Sequence, residues 1–152
     1  MDKISTFREK LTESKNELDI EEVADQYSDG IADYGDFPDE YAAFLFEILS
    51  VPLFYTKPGI YKFLSIVGVD TDIMSSKQLR NISDAIIDNY INYNDEILCI
   101  TACDFIARYY PHKEAEEILL RLKHIEDNKV EKGFADDGLR ILINEAKRNR
   151  LT

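Results

Sequence analysis

Residues 94–109, NDEILCITACDFIARY, decide the fold. Asn94 is a helix-capping residue type, and Asp95 and Glu96 put acids in the first turn, where the helix dipole favours them. Beyond them Leu98, Ala102, Phe105, Ile106 and Tyr109 recur at helical spacing, and the stretch is apolar nearly all round. That pattern predicts a central, buried helix. Pro111 stops it, and about two residues later a partner helix begins, carrying Ala115, Ile118, Leu119, Leu122 and Ile125. After Asp127-Asn128 a last helix is expected through Phe134, Ile141, Leu142 and Ala146. It ends in Lys147, Arg148 and Arg150, the sign the dipole favours there.

Outward from this stretch the pattern stays helical. Ser75-Ser76-Lys77-Gln78 reads as a capping box, in which a hydroxyl and an amide satisfy backbone donors reciprocally. The helix it starts carries Leu79, Ile82, Ile86 and Tyr90 on one face, with Lys77, Asp84 and Asp88 off it. Upstream, Ile60 to Val67 predicts a helix after breaks at Pro52 and Pro58-Gly59, and Pro38 opens another through Phe44, Phe46, Ile48 and Leu49. Gly30 and Gly35 punctuate an acidic loop, preceded by a short helix from Ile20 to about Tyr27. Ile4, Phe7, Leu11 and Leu18 mark the stripe of the first helix. Short connections predict antiparallel neighbours, and no Asn-Gly hairpin signal appears. The expected fold is all-α: one helical domain over 1–152, an antiparallel bundle or a short solenoid of about seven or eight helices. The stretch from Asn94 to Ala146 carries a further resemblance. There a helix rich in small residues (Ala102, Cys103, Ala107) turns through Pro111 into a Leu-rich partner, followed by a third helix of similar pattern. It resembles HEAT-type α-solenoid repeats, although Leu98 and Cys99 stand where such repeats often carry an early basic residue.

Composition bounds the function. A chain of 152 residues, 45% hydrophobic and 11% aromatic, buries roughly 70% of its unfolded surface and needs no staples. Its 18 Lys and Arg against 30 Asp and Glu give a net charge of −12, so nucleic acid and anionic membrane surfaces repel it. MDKISTFREK lacks the apolar core of a secretory signal, and no apolar run approaches the roughly 18 residues of a spanning helix. Cys99 and Cys103, on successive turns of one helix, are badly placed for a disulfide and read as small buried hydrophobes in a reducing compartment. A cytoplasmic protein is expected, as a monomer or weak homo-oligomer.

The charge is unevenly spread. Met1 to Lys15 holds four basic and three acidic residues, a net of +1. Asn16 to Thr56 holds no Lys or Arg and eleven acids: Glu17, Asp19, Glu21, Glu22, Asp25, Asp29, Asp33, Asp36, Asp39, Glu40 and Glu47. From Lys57 onward fourteen basic and sixteen acidic residues give −2. Solubility alone does not require excluding every cation from one stretch, and like-charge repulsion there costs stability. Tyr27, Tyr34, Phe37 and Tyr41 lie among these acids, and Tyr is enriched at binding hot spots. The expected partner-binding residues are Asp29, Asp33, Tyr34, Asp36, Asp39, Glu40 and Tyr41, facing a cationic protein.

Catalytic and metal chemistry find little support. Asp25, Asp29, Gly30, Asp33 and Asp36 fit positions 1, 5, 6, 9 and 12 of an EF-hand frame, but Tyr27 stands at position 3 and Asp replaces the bidentate Glu at 12. Asp70-x-Asp72 reads as a turn before the Ser75 cap. His112 and His124 have no Cys partner at metal spacing. Asp84/Asp88 and Asp136/Asp137 read as surface acids instead of acid–base dyads. Asp104 interrupts the most apolar helix, and Arg108 one turn later predicts an i,i+4 ion pair. There is no phosphate loop and no nucleophile elbow. The expectation is a protein without catalytic residues, cofactor or metal.

Taken over the whole chain, a small acidic helical protein with charge focused beside aromatics resembles the bacterial immunity proteins of contact-dependent-inhibition and polymorphic toxin systems. The resemblance implies a protein that binds a cognate toxin domain and blocks it. Nuclease toxins present cationic faces to phosphate, which an acidic inhibitor mimics, and charge complementarity speeds association. The alternative from another class is a HEAT-like scaffold or adaptor that takes a peptide or helix in a groove, its acidic segment facing away.

Overall fold

A computed structural model of the chain describes residues 2–32, 34–67, 73–109, 112–129, 141, 143 and 144. Those residues are all-α, with eight α-helices and no strand, compatible with a helical bundle or a short solenoid. In chain order they are α1 (Lys3–Glu13), α2 (Glu17–Ala32), α3 (Asp39–Ser50), α4 (Pro52–Tyr55), α5 (Tyr61–Val67), α6 (Ser76–Asn89), α7 (Glu96–Tyr109) and α8 (His112–Asp127). No described helix is long and apolar enough to cross a membrane. The chain divides into two compact units, Met1–Ala85 and Ile86–Thr152.

The first unit is built on an aromatic cluster. The Asp2 side chain caps α1 by accepting from the Ser5 N–H at 2.8 Å, and the α1 stripe Ile4, Phe7 and Leu11 is buried. Leu18, expected in that stripe, is 76% exposed because α1 ends at Glu13 and Leu18 belongs to α2. Asn16 caps α2, its Oδ1 accepting from the Asp19 N–H at 2.9 Å. Tyr27 of α2 sits at the centre, its ring centroid 5.0 Å from Tyr41 and 5.4 Å from Phe63. Its hydroxyl donates to the Tyr41 carbonyl oxygen at 2.7 Å. Phe7 completes the cluster 6.1 Å from both tyrosine rings. These ring pairs add to the burial free energy by roughly 0.5–1.5 kcal/mol each.

That packing corrects the expected loop at Gly30. α2 runs five residues beyond Tyr27, to Ala32, and Gly30 is a helical residue there. It is glycine for space: a Cβ at this position would lie 3.1 Å from Tyr41 Cζ and closer still to the hydroxyl. Asp25, Asp29 and Gly30 of the EF-hand frame therefore lie on helix, where a coordinating loop would be needed. Gly59 meets the other requirement for glycine, with φ at 82° in the left-handed region before α5.

The second unit centres on α7 and α8, which pack on each other. The α7 cap is one residue later than expected. Asp95 Oδ1, and not Asn94, accepts from the Ile97 and Leu98 N–H groups at 2.8 and 3.1 Å. Leu98, Cys99, Ala102, Cys103, Phe105 and Ile106 are buried, as are Ala115, Leu119 and Leu122 of α8. The helix is not buried all round, since Ile97 is 49% exposed. Arg108 Nε meets Asp104 Oδ1 at 2.9 Å, the expected i,i+4 pair. Both cysteines are free and buried. Burial pushes their thiols up and holds them protonated. Pro111 and most of the expected last helix, with Phe134, Leu142 and Ala146, lie outside the described residues; Ile143 is helical and buried.

Candidate protein-interaction surface

The acidic run folds into α2, the segment after it and α3. In α2 the apolar residues Ile20, Val23, Ala24, Tyr27 and Ile31 turn inward, which forces the remaining positions outward. Leu18, Glu22, Asp25 and Asp29, at helical spacing, form one exposed stripe. Cations from outside the run neutralise part of the charge. Lys62 of α5 reaches Glu21 at 3.1 Å and Glu17 at 3.5 Å. Arg8 of α1 forms a fork on Glu47, with Nε–Oε1 at 3.0 Å and Nη2–Oε2 at 2.9 Å. That hydrogen bond raises the Arg8 guanidinium pKa further, and Arg8 also lies 5.6 Å from the Phe44 ring centroid. Glu22, Asp25, Asp29, Asp36 and Glu40 are left exposed to solvent.

The expected contact residues separate into three groups. Asp29, Asp36, Asp39 and Glu40 are exposed, and Tyr34 is 44% exposed. Tyr34 is held edge-on against Tyr41, with centroids 6.0 Å apart. Asp33 lies outside the described residues. Tyr41 is 0% exposed and is corrected to a core residue: it faces Tyr27 and Phe7 on the inward side of α3 and presents nothing to a partner. Tyr27 and Phe37 are buried as well, so of Tyr27, Tyr34, Phe37 and Tyr41 only Tyr34 offers a ring to solvent. The alternation of acids and aromatics thus arises from helix amphipathicity, with acids outside and rings inside.

A residue that sequence reasoning left in a capping role fixes this surface. The capping box at α6 forms as expected: Ser75 N–H donates to Gln78 Oε1 at 3.0 Å, and Gln78 N–H donates to Ser75 Oγ at 3.1 Å. The amide's other half is used as well. Gln78 Nε2 donates to the Phe37 carbonyl oxygen at 2.9 Å and to Asp39 Oδ1 at 2.8 Å. Phe37 N–H donates in turn to the Ile73 carbonyl oxygen at 3.2 Å. One buried glutamine therefore ties Asp36–Asp39 to the start of α6. Glutamine at the third helical position was the available signal, but its long-range partners, about forty residues away, had none.

Beside the acids runs a groove of about 540 Å³, lined by Asp39, Ala42, Ala43 and Phe46 of α3 and by Lys77, Gln78 and Asn81 of α6. Phe46 contributes a 40% exposed ring. A second hollow of about 660 Å³ shares Asp39 and Gln78 and adds Asp36, Phe37, Ile73, Met74 and Ser75. The lining is mixed, and an acid stands on its rim. Among the described residues no group of three or more His, Cys, Asp or Glu is placed to hold a metal ion. Comparison of the chain with protein-family models, curated proteins and solved structures gives no match.

Proposed function

We propose that this protein is an immunity protein that binds and neutralises a cognate cationic toxin domain of nuclease type, in the cytoplasm and without catalysis. The observation that carries the reading is the exposed acid left after Lys62 and Arg8 have paired: Glu22, Asp25 and Asp29 on α2, with Asp36 and Glu40 beyond it. Such a surface steers a cationic partner and offers the negative charge that a nuclease is built to attract. Tyr34 supplies an amphipathic ring at its edge.

The reading expects a neighbouring gene for a large secreted protein with a toxic domain; the test is co-expression with that domain, reading survival, followed by binding kinetics on the purified pair. Asp29→Asn, Asp36→Asn and Glu40→Gln together remove three exposed charges without touching the Gln78 network. This variant is expected to associate about ten-fold more slowly at low salt, with the difference shrinking as salt shortens the screening length. Tyr34→Ala is expected to act on dissociation. The control removes three exposed acids elsewhere: Asp84→Asn, Asp88→Asn and Glu117→Gln. Equal slowing by the control would reduce the effect to net charge and refute the surface. No rescue of survival would refute the immunity reading.

A further inference from the structure

We propose that the groove between α3 and α6 receives an amphipathic, basic helix of a protein partner, with Phe46 as its apolar contact and Asp39 as its charge contact. The inference rests on the reading above only in taking the partner to be a cationic protein. Its geometric basis is separate.

Asp39, Ala42, Ala43 and Phe46 are spaced i, i+3, i+4 and i+7 along α3, so the groove extends about 10 Å along that helix at 1.5 Å per residue. A helix docking through anchors at the same spacing covers the same length. The small side chains of Ala42 and Ala43 let an incoming backbone come close. Phe46, 40% exposed, lines the groove seven residues along α3 from Asp39 and supplies its large apolar surface. Asp39 lies in the groove, with Asp36 and Glu40 exposed near it. Lys77, the one cation among the lining residues, neighbours Gln78 and so belongs to the same end, where the three acids outnumber it. A helix entering with its basic residues at this acidic end and its apolar residues on Ala43 and Phe46 matches both features. The Gln78 amide holds Asp39 in place before anything binds, which lowers the ordering cost.

The experiment uses the full chain and three labelled synthetic 14-residue helices, read by fluorescence anisotropy. The first carries Lys on one face and Leu at i, i+3, i+4 and i+7. The second replaces Leu by Ser, and the third replaces Lys by Glu. Expected is binding of the Lys/Leu helix at least ten-fold tighter than the Lys/Ser helix. Phe46→Ser and Ala43→Gln should each erase that margin and leave Lys/Ser binding unchanged. Both replaced side chains are exposed, and circular dichroism checks the fold. Equal binding of the Lys/Leu and Lys/Ser helices would overturn the groove while leaving the acidic-surface reading intact. Binding of the Glu/Leu helix as tight as that of the Lys/Leu helix would overturn the cationic occupant. Binding of neither Lys helix would overturn the groove proposal, while survival on co-expression decides the immunity reading separately. Self-association abolished by Phe46→Ser, read by sedimentation, would assign the groove to a second copy of this chain and overturn the proposal.

Discussion

Replacing Gln78 by Glu separates the structure from the sequence pattern, because the two predict opposite signs. By pattern, S-x-x-E is at least as good a capping box as S-x-x-Q, and an acid in the first turn gains about 0.3–1 kcal/mol from the helix dipole. In the folded protein the Gln78 amide nitrogen is a used donor. The change to Glu removes its bond to the Phe37 carbonyl oxygen at 2.9 Å, worth about 1 kcal/mol, and its bond to the Asp39 carboxylate at 2.8 Å, worth about 1.5–3 kcal/mol. It then sets two carboxylates against each other at a position only 7% exposed. Even after the dipole gain is subtracted, Gln78→Glu is expected to destabilise by about 2–4 kcal/mol at pH 7, or roughly 4–16 °C in Tm for a chain of this length. The new carboxyl, desolvated and beside Asp39, would titrate above the ordinary Glu value in the folded state. A raised folded-state acid pKa means stability is recovered as pH falls, so the deficit against wild type should shrink between pH 7 and pH 4. Asp39→Asn in the same chain exchanges donor and acceptor and should restore at least about 1.5 kcal/mol. Urea unfolding followed by circular dichroism at both pH values measures all of this. A Gln78→Glu protein as stable as wild type at pH 7 would refute the assigned amide network.

Gly30→Ala should destabilise by about 1–3 kcal/mol through overpacking against Tyr41, although Ala is the better helix former. Thermal unfolding checks it, and Tyr41→Phe in the same chain should recover part of the loss by removing the atom in the way. Asp25→Asn should stabilise the protein at low salt, since Asp25 has like-charged neighbours at Glu21, Glu22 and Asp29, each costing a few tenths of a kcal/mol on one helix face. Stability compared at low and high salt tests it: the gain should vanish at high salt, and no gain at low salt would refute the repulsion.

Helical periodicity made the fold class legible, and caps and breakers made several element ends legible. The Ser75–Gln78 box, the α5 span and the Asp104–Arg108 pair were readable because each is set by neighbours within one turn. The errors fell where a distant contact overrides a local rule. Gly30 reads as a helix stop unless the Tyr41 ring that needs its missing Cβ is known. Leu18 looks like one more residue of a stripe unless the turn at Ser14–Asn16 is seen to reset the helix phase. Tyr41 looks like a hot-spot residue among acids because polarity in the sequence does not reveal which side of α3 faces the core. The Lys129 ammonium, 2.9 Å from both Glu126 Oε2 and the Tyr93 carbonyl oxygen and over the Tyr90 ring, had no pattern at all.

The treatment of charge in the first unit follows a single rule. Acids whose positions bring them beside α1 or α5 acquire a cation from outside the run: Glu47 takes Arg8, and Glu17 and Glu21 take Lys62. Asp39 acquires a neutral donor, Gln78, which holds its carboxylate without cancelling its charge. The acids farthest from these partners, along the outer stripe of α2 and beyond it, stay exposed to solvent, where mutual repulsion is cheapest to bear and the field reaches farthest into water. A chain selected only for stability would interleave Lys or Arg among Glu22, Asp25 and Asp29 and gain several i,i+4 pairs at once. Their complete absence between Asn16 and Thr56 leaves a surface whose repulsion is relieved when an opposite charge arrives. The same arrangement that weakens the isolated fold would therefore add to the free energy of docking in the proposed complex.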